Sequence, residues 1–167
     1  MASHTPHLIT VRDIKNNETQ IPVNKLHFRP SVYGLLIKNN QILLSPQFEN
    51  GYDFPGGGVE LGETLEQGLI REFKEETGIT VKKTKLLYVT DDFFIHPITQ
   101  KAYHTILIYY LCEYVEGQIS TKGFDKGEQQ YAKKAEWINI SETQNLKFYN
   151  PIDSHSLIQK AQNLANG

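Results

Sequence analysis

The stretch from Gly57 to Ile79, GGVELGETLEQGLIREFKEETGI, constrains this chain more than any other. Thr64 followed by Gln67 has the form of a capping box, and Gly78 supplies a left-handed stop, so a helix is expected between them. Within it Leu65, Leu69 and Phe73 recur at i, i+4 and i+8, which predicts one side packed on the core. Glu72, Glu75 and Glu76 stand at i, i+3 and i+4, within about 100° of one helix face. Like charges at that spacing repel by a few tenths of a kcal/mol per pair. They also crowd the end of the helix where the macrodipole favours cations. On a helical wheel Glu72 and Glu76 lie within about 20° of Leu65. The carboxylates therefore extend the inward face rather than oppose it, which argues against an ordinary solvated acidic surface. A bound divalent cation is the simplest compensation.

The rest of the chain narrows the setting. Its 167 residues suit a single domain with one sizeable core. A net charge of -2 gives no electrostatic footprint for a nucleic-acid duplex or an anionic membrane. A metal could still draw in an anionic small molecule. The single cysteine, Cys112, excludes an internal disulfide or a multi-cysteine zinc site. It sits in ILIYYLCEY and reads as a buried small hydrophobe. No signal peptide is visible, and no apolar run approaches the ~18 residues of a membrane span. A cytoplasmic protein is expected.

Read in order, His7 to Arg12 suits a strand, Asn16-Asn17 a turn, and Ile21 to Phe28 a further strand, so residues 1–29 carry extra N-terminal strands. Val32 to Ile37 is apolar on both faces, as in a sheet covered on both sides. Asn39-Asn40 is a two-residue turn that returns Gln41 to Ser45 as its hairpin partner. Pro46 to Gly56 reads as an irregular loop, and Gly56-Gly57-Gly58 permits close backbone approach. Strands are expected at Lys85 to Asp92, Ala102 to Tyr114 and Ala135 to Ile140, with Phe93 to Pro97 as a strand end and loop. Gly117 to Gly127 is polar and turn-rich, and Ser141 to Leu146 suits a short helix. Asp153 caps a final helix whose apolar stripe is Leu157, Ile158, Ala161, Leu164 and Ala165. Strands, a helix, more strands and a helix make a mixed sheet between helical layers, an α/β class.

The glutamate stretch resembles the Nudix box, G-x5-E-x7-R-E-U-x-E-E-x-G-U, where U is a bulky apolar residue. Gly57, Glu63, Arg71, Glu72, Phe73, Glu75, Glu76, Gly78 and Ile79 occupy its nine specified positions. A chance match is on the order of one in a billion per starting position. The VYGLLI strand, the FPGGGVE approach and the late EW strand are similar to that family over most of the chain. The resemblance implies one Nudix hydrolase domain over 1–167, with box 57–79 in a Nudix-type α/β/α sandwich. It also implies hydrolysis of a pyrophosphate bond in a nucleoside diphosphate linked to X, such as a nucleoside triphosphate, an oxidised dNTP or a nucleotide sugar of ADP-ribose type. Mg²⁺ or Mn²⁺ would neutralise charge developing on the phosphoryl oxygens.

Carried over by position, Glu72, Glu75 and Glu76 hold the metal and serve in catalysis, and the Gly57 carbonyl adds a ligand. Glu63 and Arg71 brace the loop against the helix. The general base is either a box glutamate or Glu128, in the later GFDKGEQQY loop. Tyr33, Phe54, Phe94 and Tyr131 are candidates to stack on a base, with core packing as the alternative. Arg29 faces either a phosphate or a surface carboxylate, and His96 and His104 read as structural. ADP-ribose hydrolases of the family carry a proline about 16 residues past the box; Pro97 stands 18 past Ile79 here. A nucleotide-binding or regulatory Nudix module without turnover is the alternative function, disfavoured because all the box carboxylates are present. Isopentenyl diphosphate isomerase shares the fold but needs a catalytic cysteine, and Cys112 lies in an apolar strand. The absence of a basic patch argues against RNA decapping. The expected partner is a small nucleotide, with neither nucleic-acid duplex nor membrane, and a homodimer is left open.

Overall fold

Two caps set the limits of the glutamate helix in the computed structural model, which describes residues 7–124, 126, 129 and 132–166. Helix α1 spans Leu65–Thr77. The Thr64 hydroxyl accepts from the Gln67 amide at 3.2 Å, and the Gln67 side chain accepts from the Thr64 amide at 2.8 Å. Gly78 ends the helix at φ 78°, a left-handed conformation that disfavours a side chain. Leu69 and Phe73 are fully buried. Leu65 is not on the packed side as expected: as the first residue of α1 it is 37% exposed.

The strands are β1 (Leu8–Arg12), β2 (Glu18–Pro22), β3 (His27–Lys38), β4 (Gln41–Pro46), β5 (Tyr52–Asp53), β6 (Gly56–Gly58), β7 (Ile79–Ile95), β8 (Ala102–Gly117) and β9 (Glu136–Asn139). They line up as β2-β1-β7-β8-β3-β4-β5, with β6 beside β3 and β9 beside β4. β3 and β8 run parallel, Val32 opposite Ile108, whereas β7 and β8 are antiparallel. The sheet is therefore mixed, as the element order suggested. The β3–β4 hairpin turns on Asn39 and Asn40, both at positive φ.

Alternate residues of β3 and β8 serve opposite layers. Val32, Leu36, Ile108 and Cys112 pack with Leu69 and Phe73 of α1. Leu35, Leu107, Tyr109 and Leu111 pack with Leu157, Ile158 and Ala161 of the second helix, α2 (Ser154–Ala165). That alternation is why VYGLLI reads apolar throughout. Asp153 caps α2, its Oδ1 accepting from the Ser156 amide at 3.0 Å. Ala165, expected in the apolar stripe, is exposed at the last turn.

Three boundaries differ from the sequence reading. Ile21 to Phe28 is interrupted: β2 ends at Pro22, and Val23–Lys25 makes a 3-10 turn before β3. Proline lacks the amide needed to continue a ladder. β7 begins at Ile79 rather than Lys85, because α1 feeds straight into it through Gly78. Register irregularities at Thr80/Val81, Lys83/Lys85 and Leu86/Tyr88 break the alternation that would reveal the strand. The Pro46–Gly56 loop contains β5 and leads into β6, whose glycines pair with Ser31, Val32 and Tyr33. No helix among the described residues is long and apolar enough to cross a membrane.

Candidate active site

Beside β6 and α1 lies a cavity of about 520 Å³ that gathers residues from both ends of the chain. One part of its wall is acidic. Glu72, Glu75 and Glu76 enter from α1, with Gly57 and Gly58 of β6 against them. The glycines allow the approach: a Cβ on Gly57 would lie 2.6 Å from a Glu72 carboxylate oxygen, and one on Gly58 would lie 2.7 Å from Arg29 Cδ.

Arg71 ties this wall together. Its Nε donates to Glu63 Oε1 at 2.7 Å, and its Nη2 donates to Glu63 Oε2 at 2.9 Å and to the Gly58 carbonyl at 3.0 Å. Its Nη1 donates to Glu72 at 2.9 Å and Glu75 at 3.1 Å. The Glu63–Arg71 brace of the sequence reading is present, and Arg71 does more than brace: it partly neutralises the crowded helix end. Hydrogen bonding to Arg71 holds the Glu63 carboxyl down at about 2 and raises the Arg71 guanidinium. Glu63 also accepts from the Glu60 amide at 2.9 Å. Glu76 is held separately, accepting from the Ser45 hydroxyl at 2.8 Å and the Gly56 amide at 3.3 Å.

The residue types suit a hard cation: carboxylate oxygens on consecutive helical turns beside a backbone carbonyl cradle that a Cβ would fill. In the arrangement described, no three His, Cys, Asp or Glu side chains among the described residues converge as a cage. The physical reason is visible, since Glu72 and Glu75 turn onto Arg71. Glu72 nevertheless already lies against Gly57, and carboxylates beside a backbone carbonyl suit a hard cation, so the donor set fits the metal.

The other predicted residues divide. Arg29 lines the cavity with its guanidinium 5.0 Å from the Tyr103 ring centre, and its buried Nε has no hydrogen-bond partner among the described residues. Phe94 lines the cavity and stacks on Tyr103 at 5.5 Å. Tyr33 reaches the cavity but stacks on Tyr109 at 5.2 Å, and burial raises its hydroxyl pKa. Phe54 also lines the cavity, 1% exposed, its ring stacked on Phe148 at 5.5 Å and edge-on to Tyr109 at 5.8 Å, as in the core-packing alternative. His96 accepts from the Ile98 and Thr99 amides at 3.3 Å, and burial lowers its pKa, a loop-shaping role. His104 stacks on Phe93 at 4.3 Å. Glu128 and Tyr131 lie outside the described residues; Gly123, a few positions earlier, lines the cavity.

Several wall residues escaped the sequence reading. Arg12 of β1 pairs bidentately with Asp92 of β7, at 2.6 and 3.2 Å. Asp53 accepts from the Phe54 amide and from Asn150 Nδ2, both at 3.0 Å, and burial pushes its carboxyl up to about 7. Phe48, Tyr149 and Asn150 complete that side.

An acidic capped helix laid against glycine strands, inside an α/β/α sandwich, defines a class built to handle phosphates through a cation. The NUDIX domain family model matches residues 27–159, and the chain belongs to the Nudix family of pyrophosphohydrolases. It is similar to an ADP-ribose pyrophosphatase of Methanocaldococcus jannaschii, 30% identical and spanning 98% of this chain and 88% of that one. An RNA pyrophosphohydrolase of Baumannia cicadellinicola is 38% identical over 41% of this chain and 44% of its own length. Among solved structures, an ADP-ribose pyrophosphatase of Streptococcus suis superposes with TM-score 0.62 at 11% identity, covering 83% of this chain and 92% of that one. A MutT protein of Bacillus halodurans gives 0.60 at 24% identity, over 78% and 80%. At such identities these two support the fold alone. Nudix hydrolases generally use a divalent metal.

Proposed function

We propose that the chain, as a single Nudix domain with β1 and β2 added to its sheet, hydrolyses the pyrophosphate bond of a nucleoside diphosphate linked to a sugar, of ADP-ribose type. The observation that carries this reading is the composition of the cavity: a carboxylate-and-glycine wall faces the same space as the side chain of Arg29. Likeness to the archaeal ADP-ribose pyrophosphatase over almost the whole chain favours the nucleotide sugar over a triphosphate. Pro97 supports it further, since the proline past the box lines this cavity.

Glu72, Glu75, Glu76 and the Gly57 carbonyl would hold Mg²⁺, with Mn²⁺ an acceptable substitute. When bound, the ion would offset charge developing on the phosphoryl and leaving oxygens. Arg71 keeps the helix carboxylates oriented, and the brace to Glu63 fixes the loop that precedes them. Arg29, lacking a carboxylate partner among the described residues, is placed to meet a substrate phosphate. A water must lose a proton as it attacks phosphorus, and either a box glutamate or Glu128 takes it.

The test is a panel. Protein with Mg²⁺ is offered ADP-ribose, dNTPs, oxidised dNTPs, dinucleoside polyphosphates and nucleotide sugars, and the products are identified. AMP and ribose 5-phosphate from ADP-ribose are expected. A protein that binds nucleotides yet turns over none of the panel contradicts the reading and leaves a binding module.

A further inference from the structure

Asp53 and Asn150 are 97 positions apart, and the fold goes to some length to join them. Asp53 is fixed in β5 opposite Ser45 of β4. The segment 147–150 docks on β5 through the Tyr52 amide to the Lys147 carbonyl, 2.8 Å, and the Tyr149 amide to the Tyr52 carbonyl, 3.3 Å. Phe148 anchors it by stacking on Phe54 at 5.5 Å. Asn150 then donates to Asp53 Oδ1, which also accepts from the Phe54 amide.

Oδ2 of Asp53 takes no hydrogen bond among the described residues, and Asp53 lines the cavity. A carboxyl kept only for stability would be expected to sit on the nearest cation. Arg12 is that cation, and its bidentate pair goes to Asp92 instead. Alongside Asp53 stand the rings of Phe48 and Tyr149, edge to face at 6.5 Å, both on the cavity wall. Aromatic faces beside an oriented hydrogen-bonding group are what a planar heterocycle requires.

We infer that Asp53, held by Asn150 and flanked by Phe48 and Tyr149, forms a subsite for the heterocyclic base of the substrate, its Oδ2 meeting an amino-bearing edge of the ring. This rests on the nucleotide reading above and adds which residues choose the base. In either protonation state Oδ2 has a lone pair for an amino donor. Among the described residues the titratable groups facing Asp53 are Arg12, Tyr33 and Tyr109, and burial outweighs Arg12 in raising its pKa. The neutral form adds an O–H for the ring nitrogen beside the amino group. The phosphate-handling wall comes from other elements, α1 and β6, so base choice and hydrolysis are separable.

Asp53→Asn separates them. The new carbonyl oxygen can keep both bonds from Phe54 and Asn150, and an NH2 donor replaces Oδ2. Wild type is expected to favour ADP-ribose over its inosine counterpart in kcat/KM, and the variant to shift that ratio by roughly tenfold toward the keto base. The same inversion is expected for AMP against IMP in calorimetric titrations without metal. Both ratios staying within about twofold of wild type would overturn the subsite even if hydrolysis is intact. An inverted binding ratio with no hydrolysis of any nucleotide would keep the subsite and overturn the catalytic reading. Should Asp53→Asn fail to fold, Phe48→Leu should weaken AMP roughly tenfold while leaving ribose 5-phosphate unaffected. Equal effects on the two ligands, or none, would overturn the proposal.

Discussion

Glu63 and Asp53 are both carboxyl groups serving one cavity, and the protein moves them in opposite directions. Glu63 meets a guanidinium fork, and its pKa falls to about 2. Asp53 meets an amide and a carboxamide while nearby Arg12 pairs with Asp92, and burial lifts it to about 7. The difference lies in their partners rather than in side-chain chemistry. The box wall accumulates negative charge and manages it with Arg71. On the β5 wall Asp53 is held by uncharged amide groups, the arrangement proposed above for recognition.

The comparison can be broken by substitution. The largest effect is expected at the box: Glu76→Gln should lower turnover on the order of a thousandfold, with far-ultraviolet dichroism unchanged. Arg71→Ala comes next, since it leaves Glu63, Glu72 and Glu75 facing one another. A loss of about 2 kcal/mol is expected from urea unfolding, below the range for fully buried pairs because Arg71 keeps some water contact.

The opposite shifts predict opposite pH dependences. The lowered pKa of Glu63 contributes stability that is complete above its ordinary range and is lost as pH falls toward 2. The raised pKa of Asp53 makes the folded state hold a proton more tightly than the unfolded chain, so this term erodes as pH rises from about 4 toward 7. Melting temperatures of Glu63→Gln and Asp53→Asn, each compared with wild type across pH, should therefore diverge. Wild type loses its advantage over Glu63→Gln at the acid end, while Asp53→Asn gains on wild type toward neutrality. The smallest effect belongs to Leu65, whose exposure predicts that Leu65→Ala changes stability by no more than about 0.5 kcal/mol.

The box wall was legible in the sequence because it is local. The capping box, Gly78, and the glutamates on consecutive turns lie within 23 residues of chain, and helical periodicity turns their spacing into geometry. VYGLLI and the Asn39-Asn40 hairpin were legible for the same reason. The second wall was not, because its parts meet only through the sheet. Arg12 reaches Asp92 across from β1, which pairs with β7 although 80 positions separate the two residues, and Asn150 reaches Asp53 by docking of a loop beside β5. β7 hid its first residues because irregular register lets VKKTK face both ways. Leu65 misled because periodicity indicates which side of a helix is apolar, not which of its turns is covered.

In the proposed division of labour the α1 glutamates bind the divalent ion and the β5 wall does not. Titrating Mn²⁺ into wild type, Glu76→Gln and Asp53→Asn, with free ion followed by electron paramagnetic resonance, tests it most directly. Saturable binding is expected for wild type, with a loss of at least tenfold in affinity for Glu76→Gln and near-wild-type affinity for Asp53→Asn. Equal affinity in wild type and Glu76→Gln, or a loss confined to Asp53→Asn, would contradict it.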